Sequence, residues 1–243
     1  MDYSCENGFS PMNEQMLRRA FASVGILCPD DRLPLLIRYF ELLTERNRVM
    51  NLTRITDPEE VAAKHFADSL LGMSLIPENA SVVDVGSGAG FPGLPIAIVR
   101  PDVRLTMVDS LAKRVAFLND VVRELGLGCR AIHARAEDAA RDDSLRAHFD
   151  AALSRAVAPM NVLAELTVPF LKVGGASLMY KGPGTAEELE ASKGALSKLR
   201  SEAELVHFDT PWGVRNIVIV RKLEKTPSAY PRKAGTASKK PLN

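Results

Sequence analysis

From Pro77 onward, short apolar runs alternate with amphipathic stretches, and this alternation restricts the possible folds more than any other feature of the chain. The apolar runs predict strands over 81–85, 104–108, 130–134, 149–153, 176–180, 204–208 and 216–221. Helical spacing predicts helices over 93–99, 111–125, 160–171 and 186–199. Strands that alternate with helices call for a parallel sheet covered on both faces. The last two strands are separated only by residues 209–213, so they are expected to pair as an antiparallel hairpin at one side of the sheet. The expected fold is therefore α/β: a doubly wound, mostly parallel, seven-stranded sheet with an antiparallel C-terminal hairpin.

The first 76 residues read differently. A short helix is predicted over 12–24. A longer one follows, capped by Asp30-Asp31, with Leu35, Leu36, Tyr39, Phe40, Leu42 and Leu43 at helical spacing. A third starts at Asp57-Pro58-Glu59-Glu60, where an acidic cap, an early proline and first-turn acids all favour a helix N-terminus, and runs to about Ser74. The expected organisation is a helical extension (1–76), a ligand-binding α/β domain (77–224) and a basic, extended tail (225–243).

The strongest chemical feature is Val82-Val83-Asp84-Val85-Gly86-Ser87-Gly88-Ala89-Gly90-Phe91-Pro92-Gly93, a buried strand running into a glycine-rich turn and a helix. This is the arrangement of a nucleotide-binding crevice. Counted from Gly88, the spacing fits the dinucleotide pattern G-x-G-x-x-G, so spacing leaves a dinucleotide reading open. Charge opposes it: Asp84, two residues ahead of Gly86, would repel a pyrophosphate but suits a ligand bearing an ammonium and a sulfonium group. S-adenosylmethionine is such a ligand. Asp84 can alternatively serve as a turn residue. Asp109, at the end of the second strand, is placed to accept from ribose hydroxyls, or to cap the next helix, or both. Ala136-Glu137 follows the third strand, where backbone N–H groups can meet an adenine edge.

Charge is distributed unevenly. The chain's formal charge is only +1, yet from Arg221 onward seven basic residues face Glu224 alone, a net of +6 that leaves −5 for the rest. Such asymmetry points to a polyanionic partner or a solubilising tail. Cys5, Cys28 and Cys129 are far apart and expected to be reduced thiols, and no metal site is expected from them or from the four scattered histidines. No run approaches the ~20 apolar residues of a membrane span, and residues 1–11 do not resemble a signal peptide. A cytoplasmic, monomeric protein is expected.

Several blocks together resemble the RsmG (GidB) family, bacterial methyltransferases that modify guanine N7 in small-subunit (16S) ribosomal RNA. They are Asn47 with Asn51-Leu52-Thr53, His65-Phe66-Ala67-Asp68-Ser69-Leu70, the glycine loop with its Phe91-Pro92-Gly93-Leu94-Pro95 continuation, and Asp109-Ser110 with Lys113-Arg114 and Phe117-Leu118. Ala136-Glu137, Ser154-Arg155-Ala156 and Tyr230-Pro231-Arg232-Lys233-Ala234-Gly235-Thr236 complete the likeness. Lys113-Arg114 stands where a Lys-Lys pair is common, and Ala237 where proline is often seen. The resemblance implies a class I S-adenosylmethionine-dependent fold, with cofactor contact at Gly86, Phe91, Ala136, Glu137 and Arg155. Asp84, Gly88, Gly90 and Asp109 match the wider methyltransferase pattern.

Guanine N7 carries a free lone pair at neutral pH, so its methylation needs no general base. No acid or base catalyst is accordingly assigned. Arg155 is expected to position cofactor or substrate. His65 and Asp68 share a helical face and either border the active site or form a packing pair. Asn51 and Thr53 either close over the site or make a turn. Arg46, Arg48, Arg54, Lys181, Arg232, Lys233, Lys239 and Lys240 are the expected RNA contacts, although Lys181 can also be a solvated turn lysine. Other readings remain: a methyltransferase of another RNA or a small molecule, a dinucleotide-dependent oxidoreductase, and a non-catalytic ribosome-binding module.

Overall fold

The computed structural model describes residues 11–243. Cys5 and the expected lack of a signal peptide fall on residues outside that range. Seven strands form one sheet in the order β3-β2-β1-β4-β5-β7-β6. They are β1 (Ser81–Val85), β2 (Arg104–Asp109), β3 (Arg130–His133), β4 (Phe149–Arg155), β5 (Leu171–Lys181), β6 (Ser201–Thr210) and β7 (Gly213–Lys222). The first five pair in parallel, whereas β7 inserts antiparallel between β5 and β6. The doubly wound, mostly parallel sheet with a terminal hairpin is thus the fold observed.

Ahead of the sheet lie α1 (Glu14–Ala22) and α2 (Leu33–Met50), then α3 (Pro58–Val61) and α4 (Asp68–Leu70) joined by a π-helical segment, Ala62–Ala67. Asp57 caps α3 as expected, its carboxylate accepting from the Glu60 N–H at 2.9 Å. The expected cap at Asp30-Asp31 is not formed. Those residues make a single 3-10 turn, α2 starts after it with Pro34 in its first turn, and the Asp30 carboxylate instead pairs with Arg18 at 2.6 Å.

Within the α/β part, α5 (Gly93–Val99) and α6 (Ala112–Glu124) share one apolar cluster with α1, α2 and the sheet. Leu36, Tyr39, Phe40 and Leu43 of α2 are all buried in it, which is what their spacing requires. The opposite face is covered around α7 (Ala136–Ala139) and α8 (Met160–Thr167), and further along by α9 (Thr185–Ala191) and α10 (Lys193–Lys198). Strand alternation sorts β1 between the faces: Val83 and Val85 enter the second cluster, Val82 the first.

Residues after Glu224 differ from expectation. Their Pro, Gly, Ser and Lys content reads as an extended tail, but they pack back on the body and end in α11 (Thr236–Lys239), with Ala237 and Leu242 buried. The buried Glu165 of α8 explains why: its carboxylate accepts from the Arg232 backbone at 2.7 Å and from the Arg232 guanidinium at 2.6–3.1 Å. Arg146 adds bonds to the carbonyls of Thr226 and Tyr230. Among the described residues no helix is long and apolar enough to cross a membrane.

Candidate active site

The strand order reverses between β1 and β4, and in such sheets ligands bind outside the carboxyl ends of the strands at that point. Two connected lobes open there. The larger, about 670 Å³, is bounded by Gly86, Gly88, Phe91, Arg155, Thr53, His65, Asp68, Lys181 and Arg215 among others. The smaller, about 310 Å³, is bounded by Asp109, Ser110, Ala134, Ala136, Glu137 and Ser238. Gly86, Arg114, Ala156 and Ala158 border both. Eleven of the residues singled out from sequence therefore meet at one crevice: Thr53, His65, Asp68, Gly86, Gly88, Phe91, Asp109, Ala136, Glu137, Arg155 and Lys181.

Two members of the glycine segment lie behind the crevice. Asp84 was expected at its edge, facing the ligand. Strand alternation instead turns it inward on the Val82 face, where it is fully buried. One carboxylate oxygen accepts from the Gly93 N–H at 3.1 Å and the other has no partner. A side chain on residue 93 would put its Cβ 2.7 Å from that carboxylate, so only glycine leaves room for Asp84. Gly90 faces the core too: a Cβ there would lie 2.5 Å from Leu94 and 2.7 Å from the Tyr39 hydroxyl. The Tyr39 hydroxyl donates to the Ala89 carbonyl, so α2 braces the loop from below.

Burial pushes the Asp84 carboxyl up to about 7, against the opposing effects of the Gly93 N–H and Arg155. The sign of the consequence is fixed. Below pH ~4 neither folded nor unfolded chain ionises Asp84. Between ~4 and ~7 only the unfolded chain does, so stability falls as pH rises, by about 1.4 kcal/mol per pH unit. Above about 7 the loss is complete. Asp84→Asn is expected to flatten this slope, as measured by urea unfolding at a series of pH values.

The Asp84–Gly93 bond also bears on the ligand. In dinucleotide folds the pyrophosphate sits on the N–H groups at the start of this helix. Here the protein's own carboxylate occupies that N–H. The loop surface farther out stays open, since a Cβ on Gly88 would meet nothing nearer than the Gly86 carbonyl at 3.9 Å. The Gly93 N–H is not free to meet a pyrophosphate. Asp109 lines the smaller lobe and accepts from the N–H groups of Gly88 and Leu111, both at 2.9 Å, but it does not cap α6, whose N-cap residue is Leu111 and lacks a side-chain cap bond.

The larger lobe is organised around Phe91 and Asp68. His65, carried by the π segment, stacks on Phe91 with ring centroids 4.5 Å apart. Its Nε2 lies 2.8 Å from the Thr53 hydroxyl, and Thr53 is itself held by Asn47, which bonds both its N–H and its carbonyl at 2.9 Å. Burial and nearby Arg155 hold the His65 imidazole down at about 4, hence neutral at physiological pH. The Arg155 guanidinium lies 5.0 Å from the Phe91 centroid. Asp68 is buried and accepts from Arg155 at 3.0 Å, Arg215 at 2.7 Å and the Trp212 indole at 3.2 Å.

Arg215 and Trp212 escaped the sequence analysis. β7 runs antiparallel to β5, with Asn216 opposite Lys181, so its beginning meets the rim where the parallel strands end. A lone arginine in a hairpin carries no local mark of that placement. Asn51 does not line the crevice; it is the left-handed C-cap of α2, with φ 49°. Among the expected RNA contacts, two are engaged internally. Lys181 Nζ bonds the Ala158 carbonyl at 3.0 Å and Glu188 at 2.9 Å, and Arg232 is held by Glu165. Arg46 pairs with Asp120 at 2.8 Å, while Arg48, Arg54, Lys233, Lys239 and Lys240 are exposed.

The chain is similar to known proteins over most of its length. Residues 32–217 match the GidB family, described as rRNA small subunit methyltransferase G. A ribosomal RNA small subunit methyltransferase G of Clostridium perfringens is 46% identical over 234 residues, covering 93% of this chain and 98% of the relative. The protein of that name from Lactobacillus delbrueckii subsp. bulgaricus is 49% identical over 212 residues, covering 84% and 89%. Among solved structures, an Aquifex aeolicus SAM-dependent methyltransferase is similar with TM-score 0.51 at 14% identity, over 70% of this chain and 96% of its own. The Bacillus subtilis tRNA methyltransferase TrmK also gives 0.51, at 11% identity over 65% and 66%. These two likenesses speak for the fold, which is that of class I methyltransferases; the extent and identity of the sequence matches place the chain in the rRNA small subunit methyltransferase G (GidB) family.

Proposed function

We propose that this protein transfers a methyl group from S-adenosylmethionine to N7 of a guanine in small-subunit ribosomal RNA. The observation that carries the reading is the crevice at the strand-order reversal: its helix N-terminus is occupied by Asp84, and its two lobes meet at Gly86. The smaller lobe takes the nucleoside, with Asp109 and the Ala136-Glu137 backbone at its edge. Bound there, S-adenosylmethionine supplies a sulfonium-activated methyl group.

The chain's residues hold and orient. Phe91 and His65 form a stacked aromatic wall against which a guanine ring can lie, and bases drawn out of RNA are commonly held on such surfaces. Arg155, fixed by Asp68, positions the reactants. The neutral His65 adds no positive charge beside a base that becomes cationic on methylation. Because N7 needs no deprotonation, orientation carries most of the rate, and orientation of this kind can supply ~7–11 kcal/mol.

Exposed Arg48, Arg54, Lys233, Lys239 and Lys240 remain the candidates for RNA phosphates. Neutralising any that contacts RNA is expected to lower affinity and reduce the slope of log affinity against log salt by about one. Lys181→Ala is expected to leave that slope unchanged, because its ammonium is spent on Glu188 and the Ala158 carbonyl. Filter binding across a salt series reads both.

The activity is tested by incubating the protein with methyl-labelled S-adenosylmethionine and ribosomal RNA of each subunit, naked and assembled. Label recovered as 7-methylguanosine from small-subunit RNA alone is the expected result. Cofactor binding with no label in any RNA would shift the assignment to a small-molecule substrate.

A further inference from the structure

The C-terminal residues reach the crevice from behind. Ser238 of α11 lines the smaller lobe beside Asp109, Ala136 and Glu137. Its position is secured at several points. Arg232 is locked to the buried Glu165, Arg141 donates to the Pro231 carbonyl at 2.6 Å, and Ala237 sits in the apolar cluster with Val83, Val85 and Val108. The last tie is made by Glu137 itself: its Oε1 accepts the Gly235 N–H at 2.7 Å.

We propose that residues 232–240 form a strap that walls the nucleoside lobe, making Ser238 a ligand-facing residue. Glu137 acts as a positioning residue, its carboxylate anchoring the strap while its backbone borders the lobe. The inference rests on the reading that this lobe holds the nucleoside of S-adenosylmethionine. It gives the C-terminal segment a role in cofactor binding, separate from any role of its lysines toward RNA.

The test uses the full chain and S-adenosylhomocysteine as the probe, measured by titration calorimetry without RNA. Ser238→Trp places bulk into the lobe from an exposed position, so the fold is retained, and it is expected to weaken binding by about tenfold or more. Ser228→Trp, exposed and outside both the strap and the lobe, is expected to bind as the unaltered protein does. Amide exchange across residues 235–240 of the unaltered protein is expected to slow when the probe binds. Undiminished binding by Ser238→Trp, or exchange in the strap indifferent to the probe, would overturn the strap while leaving the nucleoside reading intact. Failure of the unaltered protein to bind the probe would overturn the nucleoside reading, and the strap with it.

Discussion

Asp68→Ala is expected to reduce methyl transfer by about 10²–10³-fold, the scale on which small misplacements of reacting groups are felt. Asp68 neutralises two guanidiniums, and both are largely withdrawn from solvent: the Arg155 side chain is 16% exposed and that of Arg215 is 28%. Removing the shared partner leaves two poorly solvated cations facing each other, and breaking a buried pair from one side costs about 3–5 kcal/mol. Arg155 would then leave its place over Phe91, and the Trp212 indole would lose its acceptor. Asp68→Asn keeps oxygen and shape but not charge, so a smaller loss is expected. The decisive measurement separates kcat from binding. S-adenosylhomocysteine affinity should change far less than kcat, because the smaller lobe does not include Asp68. Equal losses in both would mean that Asp68 holds the whole crevice together.

The second large effect is on stability. Gly90→Ala is expected to cost about 3 kcal/mol or more, combining overpacking with backbone strain. Gly90 has φ 104°, closed to most side chains, and the added Cβ would fall against Leu94 and the Tyr39 hydroxyl. In a chain of this size that corresponds to a fall in melting temperature of roughly 6–12 °C. The Tyr39–Ala89 bond would be pushed apart as well, so cofactor affinity should fall with stability. Gly88→Ala is the internal control. Its φ is 60°, but the surrounding space is open, so only the left-handed strain of about 1–2 kcal/mol applies. Calorimetric melting of the two variants distinguishes packing from strain.

The sheet was readable because its strands are short apolar runs and its helices keep their period; β1 and α5 fall where the pattern puts them. The glycine loop announced the crevice for the same local reason. What sequence could not supply was direction and partnership. Asp84 and Asp109 look alike as strand-end acids, yet one faces inward under α5 and the other borders the smaller lobe. Lys181 and Arg232 look like free cations because no local pattern pairs them with their acids: Glu188 sits across a turn in α9, and Glu165 is remote in sequence and hidden among apolar residues of α8. Arg215 became visible only through the antiparallel placement of β7. His65 and Asp68 were readable as one face of a helix, though not the π segment that carries His65.

Asp68 belongs to the helical region before the sheet, Arg155 to its middle and Arg215 to its last strand. Their tie leaves neither lobe complete until the end of synthesis. The larger waits for Arg215 and the smaller for Ser238 of α11, long after the glycine loop has been made. The Phe91–Arg155 side acquires its final charge balance only once β7 has taken its place beside β5. A chain cut short before residue 215 therefore lacks part of both linings, however complete its glycine loop.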